Sequence, residues 1–344
     1  MQQTPGVSYV MPVLNEADYL AEAVRSILAQ DYAGDKELVL ALGPSTDETN
    51  DVAEQLAESD ERITLVDNPV GRTPSALNLA IKASRHPVII RVDAHSELPT
   101  DYTQRGVETL ERVGAHDVGG LMDARGRTPV QRAIAAAYHS KFGFGGPAYH
   151  SGAPEGEAES AYLGIFRREI FDLVGYYDES LWRAQDWELC LRIRSAGFKV
   201  WFDPELKVGY YPRSNFKALT AQSYASGTWR GEIARRFPEG KSLRHDLPPL
   251  LVLGLGAGVV SAVAYPFLDQ APAVVRGALG LAMAVPVSYA AACLVAGVRS
   301  NAPSFKEKLL TGAVFPAIHL PWAMGYVKGR ARGAAGTLDK GRVK

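Results

Sequence analysis

The sequence predicts an α/β fold, a mainly parallel sheet with helices on both faces, followed by helices long and apolar enough to cross a membrane. Three observations predict it. Short apolar runs alternate with helix-spaced segments from Val7 to Asp93. Polar residues gather directly behind those runs. Further on, Leu247 to Leu268 and Gly277 to Val298 are each 22 residues long without a charged side chain.

The elements follow in order. Residues 7–14 (VSYVMPVL) read as a buried strand closed by Pro12, and Asn15 is placed to cap the helix that follows from Glu16. Leu20, Val24, Ile27 and Leu28 recur at helical spacing within residues 17–30. Leu38 to Leu42 has strand length and runs into a Gly-Pro-Ser-Thr turn. A helix then begins with an acidic first turn at Asp47 and Glu48. Ile63–Val66 reads as a strand, Ser75–Ala83 as a helix and Val88–Val92 as a strand leading into Asp93. In open parallel sheets the ligand crevice lies beyond the carboxyl ends of the strands. Asn15, Glu16, Asp47, Asp93 and His95 should therefore converge on one rim.

The two charge-free stretches meet the length of a bilayer core, and their Gly and Ala content suits close helix packing in lipid. Arg235, Arg236, Lys241 and Arg244 precede the first stretch. Arg299, Lys306 and Lys308 follow the second, and the tail adds Lys328, Arg330, Arg332, Lys340, Arg342 and Lys344. The loop between the stretches holds only Asp269 and Arg276. This asymmetry places the N-terminal domain and the tail in the cytoplasm, on a multi-pass protein of the cytoplasmic membrane. A third apolar stretch, Leu309 to Val327, contains His319, Pro316 and Pro321 and is expected to re-enter or lie in the interface rather than span. The expected domains are 1–220, catalytic; 221–246, a juxtamembrane linker; 247–327, the membrane region; and 328–344, a basic tail.

Composition excludes some alternatives. A formal net charge of −1 gives no bias toward nucleic acid. The two cysteines, Cys190 and Cys293, lie in segments of different character, so no disulfide framework is expected. An apolar strand starts within six residues of Met1, so no secretory signal is expected.

Six motifs in order resemble family 2 of the glycosyltransferases: PVLNE (12–16), GPSTDET (43–49), GRTPSALNLAI (71–81), VDAH (92–95), YLGIFRREIFDLVGYYDESL (162–181) and QDWELCLRIRSAGF (185–198). The resemblance covers about residues 7–215 and is nearest to membrane-associated exopolysaccharide enzymes of the succinoglycan type. It implies a GT-A fold and inverting transfer from a nucleotide-sugar donor. It also implies Mn²⁺ or Mg²⁺ at Asp93, where the family's usual Asp-X-Asp has His95 as its third residue. Imidazole suits Mn²⁺ better than Mg²⁺, so Mn²⁺ is the expected ion. By the same resemblance Pro12, Asn15, Glu16, Asp47, Arg72, Asn78 and Asp93 would line the donor site. Gly43 stands where an aspartate often contacts the base, and Asp47 serves equally well as a capping charge.

Asp186 is the implied general base, which takes the proton of the acceptor hydroxyl as it attacks the anomeric carbon. Gln185 replaces the family's preceding acid and spares Asp186 a like-charged neighbour. Gln185, Trp187, Trp229 and Arg230 are expected on the acceptor side, with Gly143–Gly152 as a mobile loop flanked by His139 and His150. Gln222–Arg236 is basic and amphipathic, suited to a membrane surface. The spacing at Trp229-Arg230 departs from the processive signature, so a non-processive enzyme acting on a lipid-linked or membrane-proximal acceptor is expected. Two other readings stay open: a polyprenyl-phosphate sugar synthase, and a membrane-bound nucleotide-sugar binding protein without turnover.

Overall fold

In Val7–Val13 (β1) and Lys36–Leu42 (β2) nearly every side chain is buried, on both faces of the strands. In a strand, successive side chains point to opposite faces. Val7, Tyr9, Met11, Val13, Leu38, Leu40 and Leu42 accordingly enter one core cluster, and Val10, Val39 and Ala41 enter a second. The first cluster lies against Ala17–Leu28 (α1) and Tyr102–Val113 (α4) through Leu20, Val24, Ile27, Val107 and Leu110. The second is covered by Thr73–Ala83 (α3), Glu169–Val174 (α7) and Gln185–Ser195 (α8), through Leu77, Ile81, Phe171, Leu189 and Ile193. Each such Val or Leu contributes roughly 1.5–3 kcal/mol on burial. A sheet buried on both faces therefore makes the rigid base on which the polar rim stands.

The computed structural model describes residues 4–143, 148–238 and 243–337. Two compact units emerge, one from the described residues of Met1–Ala124 and Gly146–Tyr210, the other from those of Arg125–Gly145 and Tyr211–Arg342. The first holds one eight-stranded sheet in the order β3-β2-β1-β4-β7-β5-β8-β6. Here β3 is Ile63–Asp67, β4 Val88–Arg91, β5 Asp117–Ala124, β6 Gly156–Glu157, β7 Ile165–Arg167 and β8 Val200–Tyr210. β1, β2, β3 and β4 pair in parallel, and β5 pairs in parallel with β8. β7 runs antiparallel between β4 and β5. From β1 the chain steps outward to β2 and β3, then returns to place β4 on the other side. The strand order reverses between β1 and β4, and in such sheets that reversal opens the crevice. Thr49–Ser59 (α2) and the short Ala148–Ser151 (α6) complete this unit.

The second unit is helical: Pro129–Tyr138 (α5), Phe216–Arg236 (α9), Leu247–Ala264 (α10), Ala273–Val298 (α11) and Phe305–Arg332 (α12). Capping boxes start two of them, Thr128 with Gln131 on α5 and Ser304 with Glu307 on α12. Glu307 is buried and receives Arg132 Nε at 2.8 Å, which ties α12 to α5. α9 and α12 cross at glycines. A Cβ on Gly227 would meet the Trp322 carbonyl at 2.0 Å, one on Gly231 the Tyr326 carbonyl at 2.2 Å, and one on Gly329 the Thr228 carbonyl at 1.9 Å. Only residues without a side chain allow two helix backbones to approach this closely.

Two helices, Leu243–Phe267 and Ala273–Val298, are long and apolar enough to cross a bilayer, each with a mean hydropathy of 2.0 and only 11% of its most apolar stretch buried. Helices from the core of a soluble protein would be buried, and these are not.

Several expectations change. The third apolar stretch forms no re-entrant turn: it belongs to the continuous 28-residue α12, which buries Val314, Phe315, Ile318, Ala323 and Tyr326 despite Pro316 and Pro321. His319 joins this helix to its neighbours, through Nδ1 with the Tyr289 hydroxyl at 3.0 Å and Nε2 with the Phe142 and Gly143 carbonyls at 2.9 Å. The cut between units falls at Tyr210 rather than at residue 220, and residues 125–145 join the helical unit. The expected loop 143–152 contains α6, while residues 144–147 lie outside the described residues, as do Lys241, Lys340, Arg342 and Lys344. The basic segment at 222–236 is the greater part of α9, which starts earlier, at Phe216.

Candidate functional site

The rim begins where β1 and β2 end. Asn15 adopts a left-handed backbone, φ 55°, which asparagine tolerates better than most residues. It does not cap α1. Its Oδ1 accepts the Thr46 amide at 2.7 Å, and Ser45 Oγ accepts the Asn15 amide at 3.1 Å. The α1 end is instead met from across the loop, where Asp47 Oδ2 accepts the Ala17 amide at 3.5 Å. Asp47 Oδ1 also takes the Thr49 amide at 3.1 Å and its hydroxyl at 2.5 Å. The Thr49 hydroxyl holds the Asp47 carboxyl below the usual carboxylate range. Thr49 Oγ1 in turn accepts the Glu16 amide at 2.8 Å. These bonds lock the two loops into one wall, with Asp47 as a junction.

The centre of the rim is charged. Arg91, the last residue of β4, is buried with its side chain 8% exposed. Its Nη2 lies 3.2 Å from Asp93 Oδ1, and its Nη1 donates a short hydrogen bond to Asp186 Oδ1. One guanidinium thus joins the carboxylate that follows β4 to the carboxylate in the first turn of α8. Burial alone would weaken its charge, but the carboxylates of Asp186 and Asp93 raise its pKa well above the ordinary guanidinium value. Asp186 is 38% exposed at its side chain, against 19% for Asp93. Ala184, just before α8, is held in the left-handed region at φ 62°, where a non-glycine residue stores roughly 1–2 kcal/mol of strain. Strain of this kind persists where surrounding contacts over-determine the backbone. Further along the helix, Arg192 pairs with the buried Glu188 at 2.6 Å and donates to the carbonyls of Val174, Gly175 and Tyr176, which fastens α8 to the chain after α7.

Beneath α8 lies a second carboxyl. Asp117, at the start of β5, is fully buried and accepts the Cys190 thiol at 3.3 Å through Oδ2. Its Oδ1 has no hydrogen-bond partner among the described residues. Burial pushes its pKa up to about 8, with a further rise from Asp186 against a lowering from the Cys190 bond.

His95 is held by Glu16, Nδ1 to Oε1 at 3.0 Å, which links the loops after β1 and β4 across the strand-order reversal. A carboxylate that orients an imidazole in this way is the usual support of a metal-binding histidine. Among the described residues no group of three His, Cys, Asp or Glu side chains is placed to hold an ion. A divalent ion at Asp93 and His95 would have to take its remaining ligands from a bound diphosphate, as Mg²⁺ and Mn²⁺ do at phosphate-transfer sites.

Other expected residues have structural partners. Asn78 is buried: its Nδ2 donates to the Tyr177 carbonyl and to Glu179 Oε1, and its Oδ1 accepts the Tyr177 amide, all at 2.9 Å. With these bonds Asn78 fastens the 177–179 loop to α3. Arg72 precedes α3, stacks on Trp182 at 4.5 Å and donates to the Glu179 carbonyl at 3.4 Å. Pro12 is a β1 residue opposite Ala41 of β2. Gln185 and Trp187 flank Asp186 but are buried, at 7% and 6% exposure. Trp229 belongs to the helical unit, where its indole donates to the Thr337 carbonyl at 3.0 Å; Arg230 follows it on α9. Arg91 was not singled out from the sequence. The signal was there, since a charged residue inside an apolar strand must find partners.

Comparison with known proteins places this architecture. The model of "Glycosyl transferase family 2" matches residues 8–175. The succinoglycan biosynthesis protein ExoA of Rhizobium meliloti (strain 1021) is 31% identical over 321 residues, which is 92% of each chain. A dolichyl N-acetyl-alpha-D-glucosaminyl phosphate 3-beta-D-2,3-diacetamido-2,3-dideoxy-beta-D-glucuronosyltransferase of Methanococcus voltae is 25% identical over 67% of this chain and 74% of its own. The fold is similar to that of a mannosyltransferase from Pyrobaculum calidifontis, solved with GDP-Man and Mn²⁺, at a TM-score of 0.56, 19% identity, and coverage of 96% and 88%. The chain belongs to glycosyltransferase family 2 and has its GT-A fold.

Proposed function

We propose that this protein is an inverting, non-processive glycosyltransferase that moves a sugar from a nucleoside-diphosphate donor onto a lipid-linked acceptor in polysaccharide or glycolipid synthesis. The observation that carries the reading is the Arg91 bridge between Asp93 and Asp186 at the reversal of strand order. It sets a donor-side carboxylate and a base in one rigid frame.

Asp186 takes the proton from the acceptor hydroxyl while the acceptor oxygen attacks the anomeric carbon and the bond to the diphosphate breaks. Its partly exposed position at a helix start suits contact with an incoming acceptor. Arg91 fixes the separation of the two carboxylates and offsets their mutual repulsion. A divalent ion held by Asp93 and the Glu16-oriented His95 would neutralise charge on the departing diphosphate. The Mn²⁺ in the Pyrobaculum complex is of the class this donor set would hold. Asn15, Glu16 and Asp47 stiffen the wall on the nucleotide side, and Arg72 stands at its edge.

Two apolar, exposed helices supply the motive for a lipid-linked acceptor. Tethering the enzyme to the bilayer that confines the acceptor raises their effective concentration. The name of the Methanococcus relative, which acts on a dolichyl-phosphate sugar, supports that acceptor class.

The test uses detergent-solubilised full-length protein with UDP-, GDP- and dTDP-sugars, Mn²⁺ or Mg²⁺, and a membrane lipid extract, and follows nucleoside diphosphate release. Release with one donor, dependent on both metal and lipid, is expected. Asp93→Ala should abolish metal-dependent donor binding; unchanged binding would sink the metal assignment. Donor binding without release under every condition would overturn the enzyme reading in favour of a binding protein.

A further inference from the structure

The loop that leads from Tyr177 into α8 is fastened to the head of α3. Asn78 holds Tyr177 and Glu179 through bonds of 2.9 Å, and Arg72 Nη1 donates to the Glu179 carbonyl at 3.4 Å. A turn follows, in which the Leu181 amide donates to the Asp178 carbonyl at 3.1 Å and the Leu181 side chain is fully buried. Beyond this anchor the next side chain is turned outward, and Trp182 is 40% exposed. Of the five tryptophans it alone is exposed; Trp187 and Trp229 show 6% and 4%. The ring is nonetheless held, because the Arg72 guanidinium lies over one face, 4.5 Å from the ring centroid. Arg72 is itself fixed at the start of α3, where its carbonyl accepts Asn68 Nδ2 at 3.2 Å and Ser75 Oγ at 2.9 Å.

An indole left in water forgoes the stabilisation that burial brings. Single apolar residues are common on protein surfaces, but this one is stacked and set beside the functional rim. A cation over one face leaves the other for a ligand, and a ring already ordered loses little entropy when that ligand binds. The face of an aromatic ring is apolar and electron-rich. A sugar ring matches it, since one face of the sugar presents C–H groups while the hydroxyls project around the edge. A bare lipid phosphate has no such face. The walls after β1 and β2 border the proposed nucleotide side, whereas Trp182 leads into the segment that carries Asp186. Four residues of chain span at most about 14 Å. Trp182 therefore stands within reach of the outermost sugars of an acceptor whose hydroxyl meets Asp186.

We propose that Trp182, clamped by Arg72, is the platform on which a sugar ring of the acceptor stacks, so that the acceptor is a glycoside and not a bare lipid phosphate. The platform rests on the proposed transfer reaction and narrows its acceptor class.

The experiment uses full-length protein in a detergent that carries no sugar, with the donor that supports nucleoside diphosphate release. Initial rates are followed against the amount of membrane lipid extract, and against farnesyl phosphate as a probe without a sugar. Trp182→Ala should raise the half-saturating amount of extract about tenfold, while donor affinity stays within about threefold of wild type. Trp182→Phe, which keeps a ring, should recover most of that loss, and farnesyl phosphate should serve poorly as an acceptor. A Trp182→Ala protein that saturates as wild type does would overturn the platform. So would an equal loss of donor affinity, which would assign the indole to the donor, or farnesyl phosphate serving as well as the extract. Melting temperatures check folding; if Trp182→Ala does not fold, Trp182→Leu against Trp182→Phe makes the same comparison between an apolar side chain and a ring. Release by wild type with an indifferent Trp182→Ala sinks the platform and leaves the reaction standing. Absence of release with every donor sinks the reaction, and the platform with it.

Discussion

Arg91 reaches two carboxylates with two different nitrogens, and an ammonium group cannot reproduce that fork. Removing the cation leaves Asp93 and Asp186 facing each other across a part-buried gap. Arg91→Gln is expected to destabilise the protein by about 2–3 kcal/mol, less than for a fully buried pair because Asp186 is partly exposed; denaturant unfolding of the solubilised chain measures it. A loss under about 0.5 kcal/mol would mean that the bridge does not hold the rim together. Asp117 makes a prediction of opposite kind. Its folded pKa lies near 8, far above that of an unfolded carboxyl near 4, so the native state keeps a proton that the unfolded chain loses in this window. Its contribution to stability is present below pH 4 and is lost as pH rises toward 8. Asp117→Asn should therefore raise the melting temperature by several degrees at pH 8 and much less at pH 5; an equal effect at both would show that Asp117 is not protonated in the fold. At this scale the sequence pointed to Asp93 and Asp186 because their motifs are local. It missed Arg91 because its two partners are 2 and 95 positions away. Asn78 has the residue type of a ligand contact, and only three-dimensional placement shows its amide bonded to the 177–179 loop.

Between elements, the closest approach in the helical unit is the glycine crossing of α9 and α12. Gly227→Ala places a Cβ where the Trp322 carbonyl stands and should cost about 1–3 kcal/mol. Gly280→Ala on α11 meets nothing within 4 Å and should change stability little or raise it slightly. Melting both variants side by side checks the crossing, and equal effects would contradict it. Strands and helices from Val7 to Asp93 were legible, with ends displaced by at most two residues, because buried strands and amphipathic helices leave periodic patterns. The allegiance of α5 was not. Only contacts such as Arg132 with Glu307 show which unit it joins. The continuity of α12 through Pro316 and Pro321 was equally hidden: packing of its buried face on neighbouring helices outweighs two missing backbone donors.

For the molecule as a whole, the proposed membrane topology predicts that Asp269 faces away from the cytoplasm and Ser300 toward it. Cys190 and Cys293 are both buried, so an introduced cysteine reports on its own position. A cysteine at 269 should react with a membrane-impermeant maleimide in intact cells, and one at 300 only after permeabilisation; the reverse pattern would invert the topology. The catalytic unit would then face the wrong compartment for nucleotide-sugars. The most direct measurement of the proposed chemistry is the single-turnover rate of sugar transfer by Asp186→Asn, with donor affinity measured on the same preparation. A general base predicts a fall of about 10²–10⁴-fold in transfer at nearly unchanged donor affinity. A variant that keeps most of its rate would contradict the base role, and would favour an acceptor that is already anionic, such as a lipid phosphate.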